Sequence, residues 1–275
     1  MRLLVVLFLL AIPAGAATVT REIPFVTRAS GDLVMDASVP DGAGTFPCVL
    51  IVHGGGFFRG NRVTYVTPVF QPLTAAKMVW FTMDYRMGDG VTIEDQVDDV
   101  RAALTWVDAH AAAYHVDRSR IALLGESAGG YLVSELMMRY DGPAKIAAVV
   151  AFYTPADMSL KNPAGRTELP APMRALFGIA GMSKENAIKR LQDVSPYSQV
   201  RKGLPPVLLL HGTDDEQVSF EQSPRFCDAL KAAGNRCELF VVAKGRHGMG
   251  SWEESADQVA YKARMVAWLK EVLHS

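Results

Sequence analysis

Six short apolar runs, PCVLIVHG, MVWFTMDY, RIALLG, KIAAVVAFY, PPVLLLHG and CELFVVA, recur along the chain with helical patterns between them. Runs this short and this continuously apolar suit strands buried on both faces. Such strands belong to parallel sheets whose helical connections cover the two sides. In TIEDQVDDVRAALTWVDAHAA, residues Ile93, Val97, Val100, Leu104 and Val107 fall at steps of three and four and so share one helix face. YLVSELMMRY, FEQSPRFCDALKAAG and SADQVAYKARMVAWLKEVLHS read the same way, and Gly234 suits a helix C-terminus. EIPFVTR and LVMDASV, ahead of the first buried run, are expected to pair antiparallel. The expected class is therefore α/β, with a mostly parallel sheet and helices on both faces. The stretch from residue 155 to about 203 breaks the rhythm, being far longer than a helix-to-strand connection needs. It reads as a lid-like insertion within a single domain spanning residues 18–275.

The N-terminal MRLLVVLFLLAIPAGAA has one positive charge, an apolar run, and small residues at Ala14 and Ala16. That is the pattern of a secretory signal peptide over residues 1–17, and it predicts a secreted or periplasmic protein. The apolar run is short for a permanent membrane anchor, so no stable anchor is expected. The chain has 28 Lys and Arg against 29 Asp and Glu, with no long basic run, which argues against a nucleic-acid partner. Of three cysteines, Cys48 lies in an apolar run; Cys227 and Cys237 flank a helix-to-strand turn, where either a disulfide or two free thiols fits. No Cys or His spacing points to a metal. Oligomeric state is not legible.

The segment LLGESAGGYL places Ser127 between a strand-like run and a helical one, ringed by Gly125, Ala128, Gly129 and Gly130. G-x-S-x-G in that context is the pattern of a nucleophile on a sharp strand-to-helix turn, where bulky neighbours would clash. A serine hydroxyl needs a base, and the base needs a carboxylate to orient it. Among six histidines, His247 in KGRHGMG sits in a glycine-rich loop late in the chain, suited to return to the serine. His211 ends a strand and reads as structural. For the acid, Asp215 in HGTDDEQV is favoured by spacing over Asp214 and Asp157. VHGGGFFRG supplies three successive glycines after a strand, and the N–H groups of Gly55, Gly56 and Ala128 are the expected oxyanion donors. Phe57 and Phe58, beside that loop, are expected to bind substrate.

HGGGF, MDYR at 83–86, GESAGG, HGTDDEQV and RHG stand in this order across almost the whole chain, and together they resemble the α/β-hydrolase superfamily in its HGGG-type branch. The chain is most similar there to bacterial feruloyl-esterase-like and acetyl-xylan-esterase-like hydrolases, and to relatives of hormone-sensitive lipase. The resemblance implies an eight-stranded, mostly parallel sheet and hydrolysis of carboxylic esters without metal or organic cofactor. The expected partner is a small-molecule or polysaccharide ester, with acetyl or feruloyl groups of plant polysaccharide as candidates. Glu126 departs from the lipase-related pattern, which often has aspartate before the serine. A prolyl-oligopeptidase-like peptidase, an amidase and an inactive binding module are the competing readings.

Overall fold

The computed structural model describes residues 17–160 and 169–274. Residues 1–17, expected to form a signal peptide, lie outside the described residues except for Ala17, which opens the first strand. Eight strands form one sheet: β1 (Ala17–Arg28), β2 (Gly31–Pro40), β3 (Phe46–Val52), β4 (Val79–Met83), β5 (Val116–Glu126), β6 (Ile146–Phe152), β7 (Val207–Gly212) and β8 (Cys237–Val242). Their order across the sheet is β1-β2-β4-β3-β5-β6-β7-β8. β2 runs antiparallel to both β1 and β4, and all other neighbours are parallel.

The continuous apolar runs are explained by two cores. Along β5, Ile121 and Leu123 enter one core while Ala122 and Leu124 enter the other, so every position of a central strand is buried whichever way its side chain points. One core is closed by α2 (Ile93–Ala109), α3 (Ala128–Arg139) and α6 (Gln222–Ala232); the other is closed by α1 (Thr67–Ala75) and α7 (Tyr261–His274). The helical face read at Ile93, Val97, Val100, Leu104 and Val107 is buried. Thr92 begins α2 with a capping box, its hydroxyl accepting from the Asp95 amide while the Asp95 carboxylate accepts from the Thr92 amide.

Two elements differ from expectation. α1 has no counterpart in the sequence reading: Pro68 fits a first turn, but Pro72 lies inside the helix, where proline normally argues against one. The last helix starts at Tyr261, and the residues from Ser255 onward that were expected to belong to it form turns.

The insertion holds α4 (Ala171–Leu176), α5 (Lys184–Asp193) and a 3-10 turn over Pro196–Gln199. It is fastened to the helices beneath. Tyr131 donates its hydroxyl to the Val194 carbonyl, Arg139 donates to the Asp193 carbonyl at 2.9 Å, and Arg190 pairs with Glu94 at 2.5 Å. Phe177, fully buried, packs edge-on against Tyr131 and Phe57.

Cys227 of α6 and Cys237 of β8 are joined by a disulfide, and Cys48 is a buried free thiol. The bridge staples the edge strand to the helix beside it. Closing a loop with a sequence separation of 10 is worth about 3 kcal/mol on the chain-entropy account. Reduction, or Cys227→Ser with Cys237→Ser, is therefore expected to lower the thermal midpoint by about 5–10 °C in calorimetry. An unchanged midpoint would show that the bridge adds nothing to stability.

Candidate active site

The carboxyl ends of β3, β5 and β7 and the loop after β8 bring the predicted residues together. Ser127, between β5 and α3, has φ 53° and ψ −116°, a conformation that side-chain-bearing residues rarely adopt. Its amide donates to the Phe152 carbonyl at 3.0 Å, and its carbonyl accepts from the Tyr131 amide at 3.0 Å. The turn also presses against the neighbouring strand: a Cβ on Gly129 would lie 2.1 Å from the Val52 carbonyl oxygen. The shortage of side chains in GESAGG is thus a steric condition for seating the start of α3 against β3.

His247 Nε2 lies 3.0 Å from Ser127 Oγ, and its Nδ1 lies 2.7 Å from Asp215 Oδ2. The imidazole is 12% exposed and the Asp215 carboxylate is fully buried. Burial alone pushes the Asp215 carboxyl up. Hydrogen bonds from His211 and His247, the His247 charge and the Val218 amide outweigh it and hold the group far below the usual carboxylate range. The other acids go elsewhere. Asp214 is exposed beside Thr213, and Asp157 caps Ser159 and faces Arg225. A serine hydroxyl, an imidazole and an ionised buried carboxylate in this line can move a proton from Oγ to Nε2 while stabilising the resulting imidazolium.

The loop after β3 sits beside the serine. Among the described residues no acceptor takes the amide of Gly55 or Gly56. Ala128, as the first residue of α3, has its N–H outside the intrahelical ladder. The Gly54 amide is already spent on Glu126 Oε1 at 2.5 Å. Two free loop amides beside a third at a helix N-terminus can receive developing negative charge. The loop is pinned from behind by Arg62, which bonds Asp36 at 2.7 Å and Asp84 at 2.8 Å. His53, stacked on Tyr85 at 4.4 Å, makes a hydrogen bond at 2.7 Å from its Nδ1 to the Gly54 carbonyl. Burial pushes the His53 imidazole down to about 4, which keeps it neutral.

Phe57 corrects an expectation. It is only 2% exposed and packs edge-on against Tyr131 and Phe177 in the core, so it does not present its ring to a substrate. Its backbone is left-handed at φ 72°, and its carbonyl accepts from the Gln96 amide at 2.9 Å, which turns the ring inward. Phe58, 36% exposed, is the ring of this pair that faces solvent. In the insertion Met158 and Phe177 are core residues, whereas Met182 is exposed.

Glu126 is a site residue whose role sequence reasoning left open. Its buried carboxylate takes the Gly54 amide and lies near the Tyr153 hydroxyl and the His247 charge. Tyr153 in turn packs against the His247 ring at 4.6 Å and accepts the Met249 amide at 3.0 Å. One carboxylate therefore sits between the loop of free amides and the loop that carries the imidazole. A Cβ on Gly54 would lie 2.1 Å from Glu126 Oε1, so this contact also explains the first glycine of HGGG. The larger, buried glutamate in place of the more usual aspartate was the available signal.

This sheet, its strand-to-helix serine and its late histidine define an α/β-hydrolase. A family model, BD-FAE, matches residues 35–230, and the chain belongs to the BD-FAE family. Its sequence is 28% identical over 212 residues to the probable carboxylic ester hydrolase LipM of Mycobacterium tuberculosis, covering 73% of this chain and 48% of LipM. It is 27% identical over 240 residues to the carboxylesterase NlhH of the same organism, covering 83% of this chain and 75% of NlhH. The chain spans about half the length of LipM and of the esterase LipC, also of that organism. Among solved structures, the propionate-bound thermophilic esterase Est2 of Thermogutta terrifontis superposes with a TM-score of 0.71 at 27% identity, covering 95% of this chain and 94% of Est2.

Burial lifts the Glu126 carboxyl above its ordinary range, against the lowering effects of the Gly54 amide, the His247 charge and the Tyr153 hydroxyl. A carboxyl raised in the folded state costs stability wherever the unfolded chain has it ionised, above about pH 4.3, and costs nothing well below that. In calorimetry, the thermal midpoint of Glu126→Gln relative to wild type is therefore expected to be higher at pH 8 than at pH 3.5. An equal gain at both pH values would contradict the assignment.

Proposed function

We propose that the protein is an exported serine carboxylic-ester hydrolase working through an acyl-enzyme on Ser127. The observation that carries this is the His247 imidazole, 3.0 Å from Ser127 Oγ and 2.7 Å from Asp215 Oδ2, beside the unpaired amides of Gly55 and Gly56. In this reading Ser127 Oγ attacks the ester carbonyl as His247 Nε2 takes its proton. The ionised Asp215 steadies the imidazolium, and the oxyanion rests on the amides of Gly55, Gly56 and Ala128. Collapse of the tetrahedral adduct breaks the bond to the alkoxy oxygen, which receives the proton from His247. Water then repeats the sequence, returning the hydroxyl to Ser127 and releasing the acid. Each oxyanion donor is worth about 10²–10³ in rate.

The names of LipM and NlhH and the propionate in Est2 support an ester substrate with a short acyl group. We carry forward the acetyl ester as the first candidate acyl group, on a small or carbohydrate alcohol, with feruloyl as the aromatic alternative that would use Phe58. The Cys227–Cys237 disulfide supports export, since such bridges persist in oxidising compartments. Among the described residues no helix is long and apolar enough to cross a membrane.

The test is a panel of aryl esters of rising acyl length, acetylated xylan, methyl ferulate and a prolyl anilide, run on wild type and Ser127→Ala. Hydrolysis is expected to favour acetyl to butyryl esters and to fall by about 10⁴–10⁶ in Ser127→Ala. Preference for the anilide over every ester, or turnover surviving in Ser127→Ala, would overturn the proposal.

A further inference from the structure

His211, the last histidine before Asp215, is not a passive strand end. Its side chain is fully buried on β7, between the rings of Phe220 at 5.6 Å and Tyr153 at 6.5 Å. Nε2 lies 3.1 Å from the Val218 carbonyl and 3.4 Å from Asp215 Oδ2, while Nδ1 lies 2.8 Å from Ser223 Oγ. The Val218 carbonyl can only accept, so Nε2 must carry a proton; Nδ1 is then free to accept the Ser223 hydroxyl. The Nε2 proton goes to the Val218 carbonyl, and the same edge of the ring lies against the Asp215 oxygen that also receives His247 Nδ1.

Asp215 is thereby held on all sides. Oδ1 accepts the amides of Gln217 and Val218, both at 2.8 Å, and Oδ2 faces two imidazoles. The two oxygens turn together about Cβ–Cγ, so the aim of Oδ2 depends on the turn that supplies those amides. His211 holds that turn by donating to the Val218 carbonyl while its ring lies against Oδ2. Ser223, in α6, takes the other ring nitrogen and fixes the orientation of the ring.

We infer that His211 is a positioning residue for the hydrolytic reaction: with its ring anchored by Ser223, it holds the turn over residues 215–218 and so keeps Asp215 Oδ2 in line with His247 Nδ1 without touching substrate. The inference rests on the serine-hydrolase reading of Ser127, His247 and Asp215. The support of the site then runs from Ser223 and His211 through the turn over residues 215–218 to Asp215, His247 and Ser127. The two added residues sit on β7 and α6, which ties the set of the acid to the packing of the sheet edge.

The test compares His211→Asn with His211→Gln, using steady-state kinetics on a short-chain aryl ester and the proton NMR spectrum at low field. The Gln amide reaches the place of Nε2 and keeps a donor on the Val218 carbonyl; the Asn amide reaches only the place of Nδ1 and withdraws it. His211→Asn is expected to lower kcat about tenfold with KM unchanged, and to shift or broaden away the low-field resonance of the proton between His247 Nδ1 and Asp215. His211→Gln is expected to retain both. A folded His211→Asn with wild-type kcat and an unmoved resonance would overturn the inference, as would equal losses in the two variants. Should either variant fail to fold, Ser223→Ala replaces the pair, with an expected loss in kcat of about threefold and a shifted resonance; wild-type values for both would overturn it. The resonance needs no turnover, so it separates failure of this inference from failure of the ester-hydrolase reading.

Discussion

The backbone of Ser127, at φ 53° and ψ −116°, sits where an L-residue is held only by what surrounds it. Three features hold it. Its amide is bonded to the end of β6, its carbonyl begins the hydrogen bonding of α3, and the first turn of that helix lies against β3 at a distance that admits only glycine at position 129. Relaxing the turn would pull α3 from the sheet and break both bonds. The strain is balanced by the packing of two cores around β5, so the exposed hydroxyl and the buried sheet belong to one structural bargain.

From that point the site spreads in two directions that meet again behind the serine. One runs through the free amides of Gly55 and Gly56, whose loop is braced by Arg62, Gln96 and Tyr85. The other runs through His247 to Asp215 and the end of β7. Glu126 and Tyr153 close the circuit, since the carboxylate that holds the Gly54 amide lies near a phenol that packs on His247. A buried carboxylate raised by desolvation is costly, and here the cost falls on a group that fixes the relative position of both halves of the proposed machinery.

How much of this is legible in the sequence depends on whether local chemistry or tertiary packing decides each residue. The parallel sheet was readable because both faces of β3 through β7 are buried, and double burial writes itself as continuous apolar runs. Ser127, Asp215 and His247 were readable because the chemistry needs a nucleophile, an acid and a base, and the strand-to-helix serine pattern carries the order in which they follow along the chain. Phe57 was not: HGGGF places an aromatic beside the glycines, but the direction of its ring depends on a left-handed backbone and on Gln96, which lies 39 positions away. α1 was hidden by Pro72, which tertiary contacts with the second core override. Glu126 stood out by its size, yet its neighbours come from the loop after β3 and from just past β6, and no spacing pattern pairs them.

The central claim is that Ser127 carries the acyl group, with His247 as its base. It is tested most directly by mass spectrometry of rapidly quenched enzyme after mixing with an activated butyryl ester, mapped by peptide digestion on wild type, Ser127→Ala and His247→Asn. The account predicts one butyryl group on the peptide containing Ser127 in wild type, none in Ser127→Ala, and formation slowed by at least about a hundredfold in His247→Asn. A butyryl group on another residue, or full ester turnover with no acylated Ser127 at any quench time, would contradict it.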